Sequence, residues 1–510
     1  MPSPAIRVLD VAGLPAYVSD IATTFTGTLV FGVGLRDETA RSAGTAHLLE
    51  HLIMKRVGKV AVTHNATTSD EVIAFFAQGS PAQVGDFLTR VAAAVSSLHE
   101  ITADDVLEQR RIISAELGQG DERIGRGNLI DRFGNQSLGL LDFGSPAHRS
   151  HTRADALRFA DTWLHAGNAA LTFTGPIPDG FTLSLPPARP VPERTPPEPI
   201  RHEAWIPNGE VPLVLSLVLR SPDAAHTAVA RTLLEDALLG RLRTERHLVY
   251  SVNGFAFPLG AGATFVGYAM DPRAEDALAA ATGAVELLRE LAETGPDEAA
   301  IREQIEAWDA ADDDPLAQAA QLDAIAAGVL RGRRERDDVE AVDLHAVTAA
   351  DVQRVIADAM TTRFITFAGD TPLPDDDEVT AALGMPPAED PTPLAVTLSR
   401  GDWVRHVMPA EVEVFGGRAF RGLRGASLFV DLERVTFASS AGTMEVRFDS
   451  MPVALYSEGQ RFWCLVGREG HFMIVDLDQW RGAAKLHDLL GTRIPGDVQA
   501  GVDLETPLPA

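Results

Sequence analysis

One internal repeat constrains this chain more than any other feature. The apolar run "LVFGVGLRD" at 29–37 returns as "LVLSLVLRS" at 213–221, each a strand-like stretch that runs into Leu-Arg. A helix-like stretch follows both, "GTAHLLEHLI" and then "VARTLLEDAL", so that Leu48, Leu49 and Glu50 match Leu233, Leu234 and Glu235. His47 then falls opposite Thr232, and His51 opposite Asp236. The echo continues downstream. "ITADDVLEQRRI" at 101–112 resembles "TGPDEAAIREQI" at 294–305, "TRADALRFADTWL" resembles "TAADVQRVIADAM", and each half closes on a strand, "LTFTG" or "ITFAG". Strands, then helices, then a late returning strand predict an α+β sandwich, with helices laid on a mainly antiparallel sheet and the whole unit duplicated.

The proline-rich "LPPARPVPERTPPEPIR" at 185–201 joins the copies and reads as a stiff, extended linker. A second break, "TPLPDDDEVTAALGMPPAEDPTP" at 371–393, ends the duplication. The expected division is a domain at 1–190, a homologous one at 200–375, a linker at 376–398 and a β-rich domain at 399–510. Three domains agree with the length of 510 residues.

Composition narrows the partners. The 44 Lys and Arg against 72 Asp and Glu leave a formal charge of −28, which repels nucleic acid and anionic lipid, so neither is expected as a partner. The short basic run "LRGRRER" at 330–336 is flanked by acids and reads as a solvated helix end. The first twenty residues lack a basic start and a long apolar run, and no uninterrupted apolar stretch reaches the ~18 residues of a membrane span, so a cytoplasmic protein is expected. Cys464 is the sole cysteine, which excludes an intrachain disulfide and leaves any metal site to histidine and carboxylates.

Those residue types meet in "TAHLLEHLIMK" at 45–55. On a helix, positions i and i+4 share a face, so His47 and His51 can offer two imidazole nitrogens to one Zn2+. Glu50 sits on the same side, where its carboxylate could take a proton from water held by the metal, as general base of a metal-assisted hydrolysis. The order H-x-x-E-H inverts the common zinc-peptidase motif. On the pentapeptide alone, an ordinary amphipathic helix with two imidazoles remains open. A catalytic zinc needs a third protein ligand, and "LEQRRIISAELGQGDERI" at 107–124 offers Glu116 as the best candidate, with Glu108 and Glu122 close enough to compete. His148 and His151, in "SPAHRSHT", read as solvent-facing loop residues.

In these motifs the chain resembles the pitrilysin family of zinc peptidases, which includes insulin-degrading enzyme and the mitochondrial processing peptidase. The family pattern is H-x-x-E-H, a distal Glu on a helix, and an Asn-Ala-x-Thr-Ser segment between them. Here these are "HLLEH", Glu116 and "NATTS" at 65–69, and the likeness spans about residues 5–375. The resemblance implies His47, His51 and Glu116 as zinc ligands, Glu50 as the base, and Asn65 and Ala66 beside a substrate-binding edge strand. It also implies a substrate-holding Arg and Tyr seven apart in the second half, supplied by Arg243 and Tyr250 of "LRTERHLVY". A peptide held as an added strand is gripped mainly through its backbone. Short members pair their subunits around a closed chamber, implying a homodimer, or a heterodimer with a related subunit, that hydrolyses peptides or unfolded segments. The alternative is a noncatalytic, peptide-binding or scaffolding relative working with a partner subunit. The chain departs from the pattern at "KVAVTH", which lacks glycines before Asn65, at Gln109, where a glutamate is common, and at Val249, where glycine is usual before the tyrosine.

From 399 the texture changes to short alternating runs, "ASLFVDL", "VTFAS", "MEVRF", "VALYS", "RFWCLVG" and "HFMIVDL", followed by a helical "WRGAAKLHDLLG". About seven strands and a terminal helix resemble a pleckstrin-homology-like barrel in pattern, with Trp463, Trp480 and Phe472 as core and a role in binding or assembly.

Overall fold

The computed structural model describes residues 5–117, 125–260, 262–340, 342–388, 400–409, 411–440, 442–457, 459 and 461–502. The first half builds β1 (Arg7–Val11), β2 (Leu14–Val18), β3 (Thr26–Phe31), helix α1 (Thr45–Val57), β4 (Thr63–Thr68), β5 (Ile73–Gln78), helices α2 (Pro81–Ser96) and α3 (Ala103–Leu117), and β6 (Ala169–Phe173). Its sheet runs β1-β2-β6-β3-β5-β4, with β2 and β6 parallel and the other pairs antiparallel. Local chemistry starts α2: Ser80 and Gln83 form a reciprocal capping box and Pro81 stands in the first turn.

The second half repeats this plan. Strands β7 (Ala204–Gly209), β8 (Leu213–Arg220), β9 (Val252–Gly260), β10 (Ala263–Met270) and β11 (Phe364–Ala368) run β7-β11-β8-β10-β9. Again one pair is parallel, β7 with β11, in the place of β2 with β6. The duplication read from sequence is therefore a duplication of sheet topology, with one extra strand, β1, on the first copy. Leu213, Leu215, Leu217 and Leu219 of β8 share one face and bury against Leu233, Leu234, Ala284, Leu288, Val355 and Ile356 of three helices. The alternation of β8 and the 3.6-residue period of the helices meet at that core.

Three features differ from the sequence reading. Within the expected 376–398 linker, Asp376–Leu383 is a helix, capped by Asp375 and stopped by left-handed Gly384, and Val379, Leu383 and Met385 bury in the second core. Residues 389–398 of that segment lie outside the described residues. The helix Pro315–Leu330 crosses from the second half to the first sheet, where Leu322, Ile325 and Ala326 pack against Tyr17, Ile21 and Ala170. The basic run after it is not a solvated helix end. Arg331 pairs with Asp37, Arg333 makes two bonds of 2.6 Å to Glu71, and Arg36 adds one of 2.8 Å to Glu71 and one of 2.9 Å to the Pro258 carbonyl on β9. Arg194, from the proline-rich linker, joins through Asp37 at 2.8 Å. Burial acts to raise the Glu71 pKa, but Arg333, Arg36 and Arg331 outweigh it and hold the carboxyl below its usual value.

The β-rich C-terminal region forms two four-stranded sheets. Strands β12 (Glu413–Gly416), β13 (Ser427–Val430), β14 (Arg434–Ala438) and β15 (Thr443–Arg447) form an antiparallel meander. β16 (Val453–Ser457), β17 (Phe462–Val466) and β18 (Phe472–Asp476) form a second, a helix Ala483–Arg493 follows, and β19 (Gln499–Gly501) adds parallel to β16. Seven strands and a late helix are present as expected; β19 is an addition. The run "FWCLV" is apolar throughout because β17 is buried on both faces. Trp463 and Leu465 face the other sheet and the helix residues Leu486 and Leu490. Phe462, Cys464 and Val466 face Ala40, Ala43, Ile130, Leu140, Phe143 and Ala147, and burial pushes the Cys464 thiol up to about 12.

By contact the chain divides into two compact units, one of Met1–Asp37, Ala46–Gln109 and Arg153–Pro387, the other of Glu38–Thr45, Arg110–Thr152 and Ala388–Ala510. Both duplicated sheets fall in the first. The β-rich region shares the second with two short stretches of the N-terminal half. Among the described residues no helix is long and apolar enough to cross a membrane.

Candidate active site

Helix α1 is amphipathic in a way that sorts its chemistry. Ala46, Leu48, Leu49, Leu52 and Ile53 are buried, which turns His47, Glu50 and His51 to the half-buried face. The two imidazole rings stand edge to face, 4.8 Å between centroids at 76°. Glu50 Oε2 accepts a hydrogen bond of 2.7 Å from the Thr68 hydroxyl at the end of β4.

Helix α3 brings the third group. Ligand atoms of His47, His51 and Glu116 all lie within 4.8 Å of one another, and Glu116 is exposed. Tetrahedral zinc at ordinary bond lengths separates its ligand atoms by about 3.4 Å, so the three would have to draw together slightly to share one ion. Two nitrogens and one carboxylate oxygen also leave a fourth position for water. Of the competing carboxylates, Glu108 is bonded at 2.7 Å to Lys55, and Glu122 lies outside the described residues. Gln109 is buried, whereas its neighbour Glu108 faces solvent.

His148 and His151 are not solvent-facing. They are 3% and 1% exposed, because the Pro/Ser-rich stretch folds into a 3-10 turn at His148–Ser150. His148 Nε2 lies 2.8 Å from the Ser114 hydroxyl of α3, and its Nδ1 lies 3.1 Å from the Ser145 carbonyl.

β4 is the last strand of the first sheet, and its far side has no strand partner among the described residues. Asn65 pairs with Phe76 and is exposed; Ala66 pairs with Phe75 and is buried. The edge can accept an extended peptide as a further strand. β9, carrying the second half's edge, occupies the equivalent place.

Arg243 and Tyr250 come together in the second half. The guanidinium lies 4.9 Å from the centre of the tyrosine ring, and Tyr250 is 75% exposed, unusual for so large a side chain. A π-helical turn, Gly240–Glu245, extends the preceding helix to carry Arg243, and left-handed His247, at φ 55, reverses the chain. Val249, where glycine is usual, buries in the second core. Asp271 pins the backbone at the tyrosine: its Oδ1 accepts the N–H groups of Tyr250 and Ser251, each at 2.8 Å, and its Oδ2 accepts the Ser251 hydroxyl at 3.0 Å. Burial raises the Asp271 pKa, but these bonds outweigh it and the net shift is downward. Among the described residues, the hydrogen bonds and ring contacts of Arg243 and Tyr250 are to residues of their own half.

Residues 16–129 match the family described as "Insulinase (Peptidase family M16)", and residues 150–307 match its companion, "Peptidase M16 inactive domain". The chain belongs to the pitrilysin-like M16 family. The division agrees with the site: the half with both histidines matches the peptidase domain, and the half with Thr232 and Asp236 in their place matches the inactive one. A zinc protease, PqqE, of Helicobacter pylori (strain ATCC 700392 / 26695) is 30% identical over 174 residues, 29% of this chain and 37% of that protein, so the match spans about a third of the relative's length. A protease from Helicobacter pylori shares the M16 fold at a TM-score of 0.54 and 17% identity, over 72% of this chain and 99% of that one. Pitrilysin does so at 0.56 and 14%, over 81% of this chain and 52% of its own. The M16 fold thus accounts for the duplicated sheets.

Sequence reasoning missed Lys55 and Asp271. Lys55 was within reach, since 47, 51 and 55 repeat at four and share a helix face. Asp271 was not, since its contact with Tyr250 crosses the β9–β10 hairpin.

Proposed function

We infer that the protein is a zinc-dependent endopeptidase acting on peptides or unfolded segments. The observation that carries this reading is the convergence of His47, His51 and Glu116 within 4.8 Å, with Glu50 on the same half-buried face of the helix that carries both histidines. Zinc held there would supply Lewis acidity for water and for the scissile carbonyl. The chain's own residues do the rest. Glu50, steered by the Thr68 hydroxyl, takes the proton from water and returns it to the leaving amine. The free edge of β4, at Asn65 and Ala66, aligns the substrate backbone. Arg243 and Tyr250 hold substrate carbonyls from the second half, in a homodimer or in a heterodimer with a related subunit.

The test is cleavage of a mixed peptide library by the zinc-loaded protein, read by mass spectrometry beside Glu50→Gln. Cleavage that vanishes in the variant is the expected result. A protein that binds no zinc with its histidines intact would end the peptidase reading. The match of residues 150–307 to the inactive domain leaves open a second reading, a peptide-binding subunit that serves a catalytic partner. Zinc binding without cleavage by either protein, and activity restored on adding a copurifying subunit, would select it.

A further inference from the structure

Lys55 reaches from the metal-motif helix to the third-ligand helix. Its ammonium lies 2.7 Å from Asp105 Oδ1 and 2.7 Å from Glu108 Oε2, both on α3. Asp105 is itself fixed at the start of that helix, where its Oδ2 accepts the Thr102 N–H at 2.7 Å and hydroxyl at 2.8 Å, and the Asp105 N–H donates back to the Thr102 hydroxyl at 3.1 Å. That reciprocal cap gives α3 a defined first residue. Glu116 follows eleven residues after Asp105 on the same unbroken helix, about 16 Å along its axis.

The inward face of α3 is Val106, Gln109 and Ile113. Apolar burial sets which face turns inward but is non-directional, so it leaves sliding along the axis weakly resisted. Charge-assisted hydrogen bonds are short and directional. The side chains of Lys55, Asp105 and Glu108 are 32%, 28% and 59% exposed, and ion pairs that wet add little to global stability. What such a clamp can set is register.

We propose that Lys55 is a positioning residue for the metal site: it locks the axial register of α3 against α1 and so presents Glu116 to His47 and His51. The role rests on the ligand assignment above. It predicts that loss of Lys55 weakens the metal site only through Glu116.

The experiment is a double-mutant cycle on zinc affinity, measured by chelator competition on the full chain, with K55M, E116Q and the double variant. Lys55→Met weakens zinc binding about 10-fold in the wild-type background, the range for groups that orient ligands. It produces no further loss in the E116Q background, and Lys55→Arg restores most of the affinity. Circular dichroism and melting temperature stay near wild type. An equal loss in both backgrounds, or no loss in either, overturns the proposal. If E116Q alone leaves zinc affinity unchanged, the ligand assignment itself has failed, a result separate from failure of the clamp. Should K55M not fold, K55Q, which keeps the stem and a polar end, enters the same cycle under the same criteria.

Discussion

The Thr68 hydroxyl donates to Glu50 Oε2 at 2.7 Å, which ties the carboxylate of the H-x-x-E-H helix to the end of edge strand β4. Thr68→Val removes this donor while keeping the β-branched shape. Turnover is expected to fall about 10-fold with zinc content unchanged, in line with a hydrogen bond to a charged group. Thr68→Ser is expected to keep most of it. Steady-state kinetics beside metal analysis checks both; a zinc content that falls with turnover would place Thr68 in the metal site instead.

Asp271 holds Tyr250 and Ser251 through three hydrogen bonds, two from backbone N–H groups and one from the Ser251 hydroxyl. Asp271→Asn should raise KM about 5- to 10-fold and change kcat less, because the loss falls on substrate holding. Binding of an uncleaved peptide to the E50Q protein should weaken by the same factor. An unchanged affinity there would remove Tyr250 from the peptide site.

The cluster of Arg36, Glu71 and Arg333 joins the two halves, and breaking it strands buried guanidinium groups. Glu71→Gln is expected to cost about 3 kcal/mol, read as a lower denaturant midpoint. The pH dependence has a definite sign. With its folded pKa held below the usual carboxylate value, Glu71 contributes stability that is present above about pH 4.3 and lost as pH falls toward the folded value. Neighbouring Asp70 opposes this, since burial and then Glu71 raise its pKa, so its part is lost as pH rises. Glu71 has the closer and more numerous partners, so E71Q should flatten the acid limb of the stability curve. A curve unchanged in slope would assign that limb to other carboxylates.

Removing residues 399–510 would uncover Ala40, Ala43, Ile130, Leu140, Phe143 and Ala147, which now pack on β16, β17 and β19. The truncated chain is expected to aggregate and to bind hydrophobic dyes. A monodisperse, zinc-binding truncation would show that residues 1–398 hold the metal without the C-terminal strands.

Much of this was legible in the residues because duplication, apolar periodicity and the H-x-x-E-H spacing are local or repeated signals. The duplicated α+β plan follows from them, though not the order of the strands, and so does the face of α1 that carries His47, Glu50 and His51. The losses came where partners are distant. Asp375, the acids after it and Gly384 are helix start and stop signals, but the prolines around them pointed to a linker. "LRGRRER" looked solvated because its acids, Asp37 and Glu71, lie some three hundred residues away in the chain. His148 and His151 looked exposed because nothing near them in sequence shows what covers a short loop.

The core around Cys464 draws on residues from both ends of the chain, Ala40 and Ala43 at one and Ala500 and Val502 at the other. During synthesis the early stretch must wait, uncovered, until Ala500 and Val502 have left the ribosome. Residues Arg110–Thr152 belong to that same late-closing unit. The apolar side chains of that early stretch are therefore among the last to be covered as the polypeptide emerges.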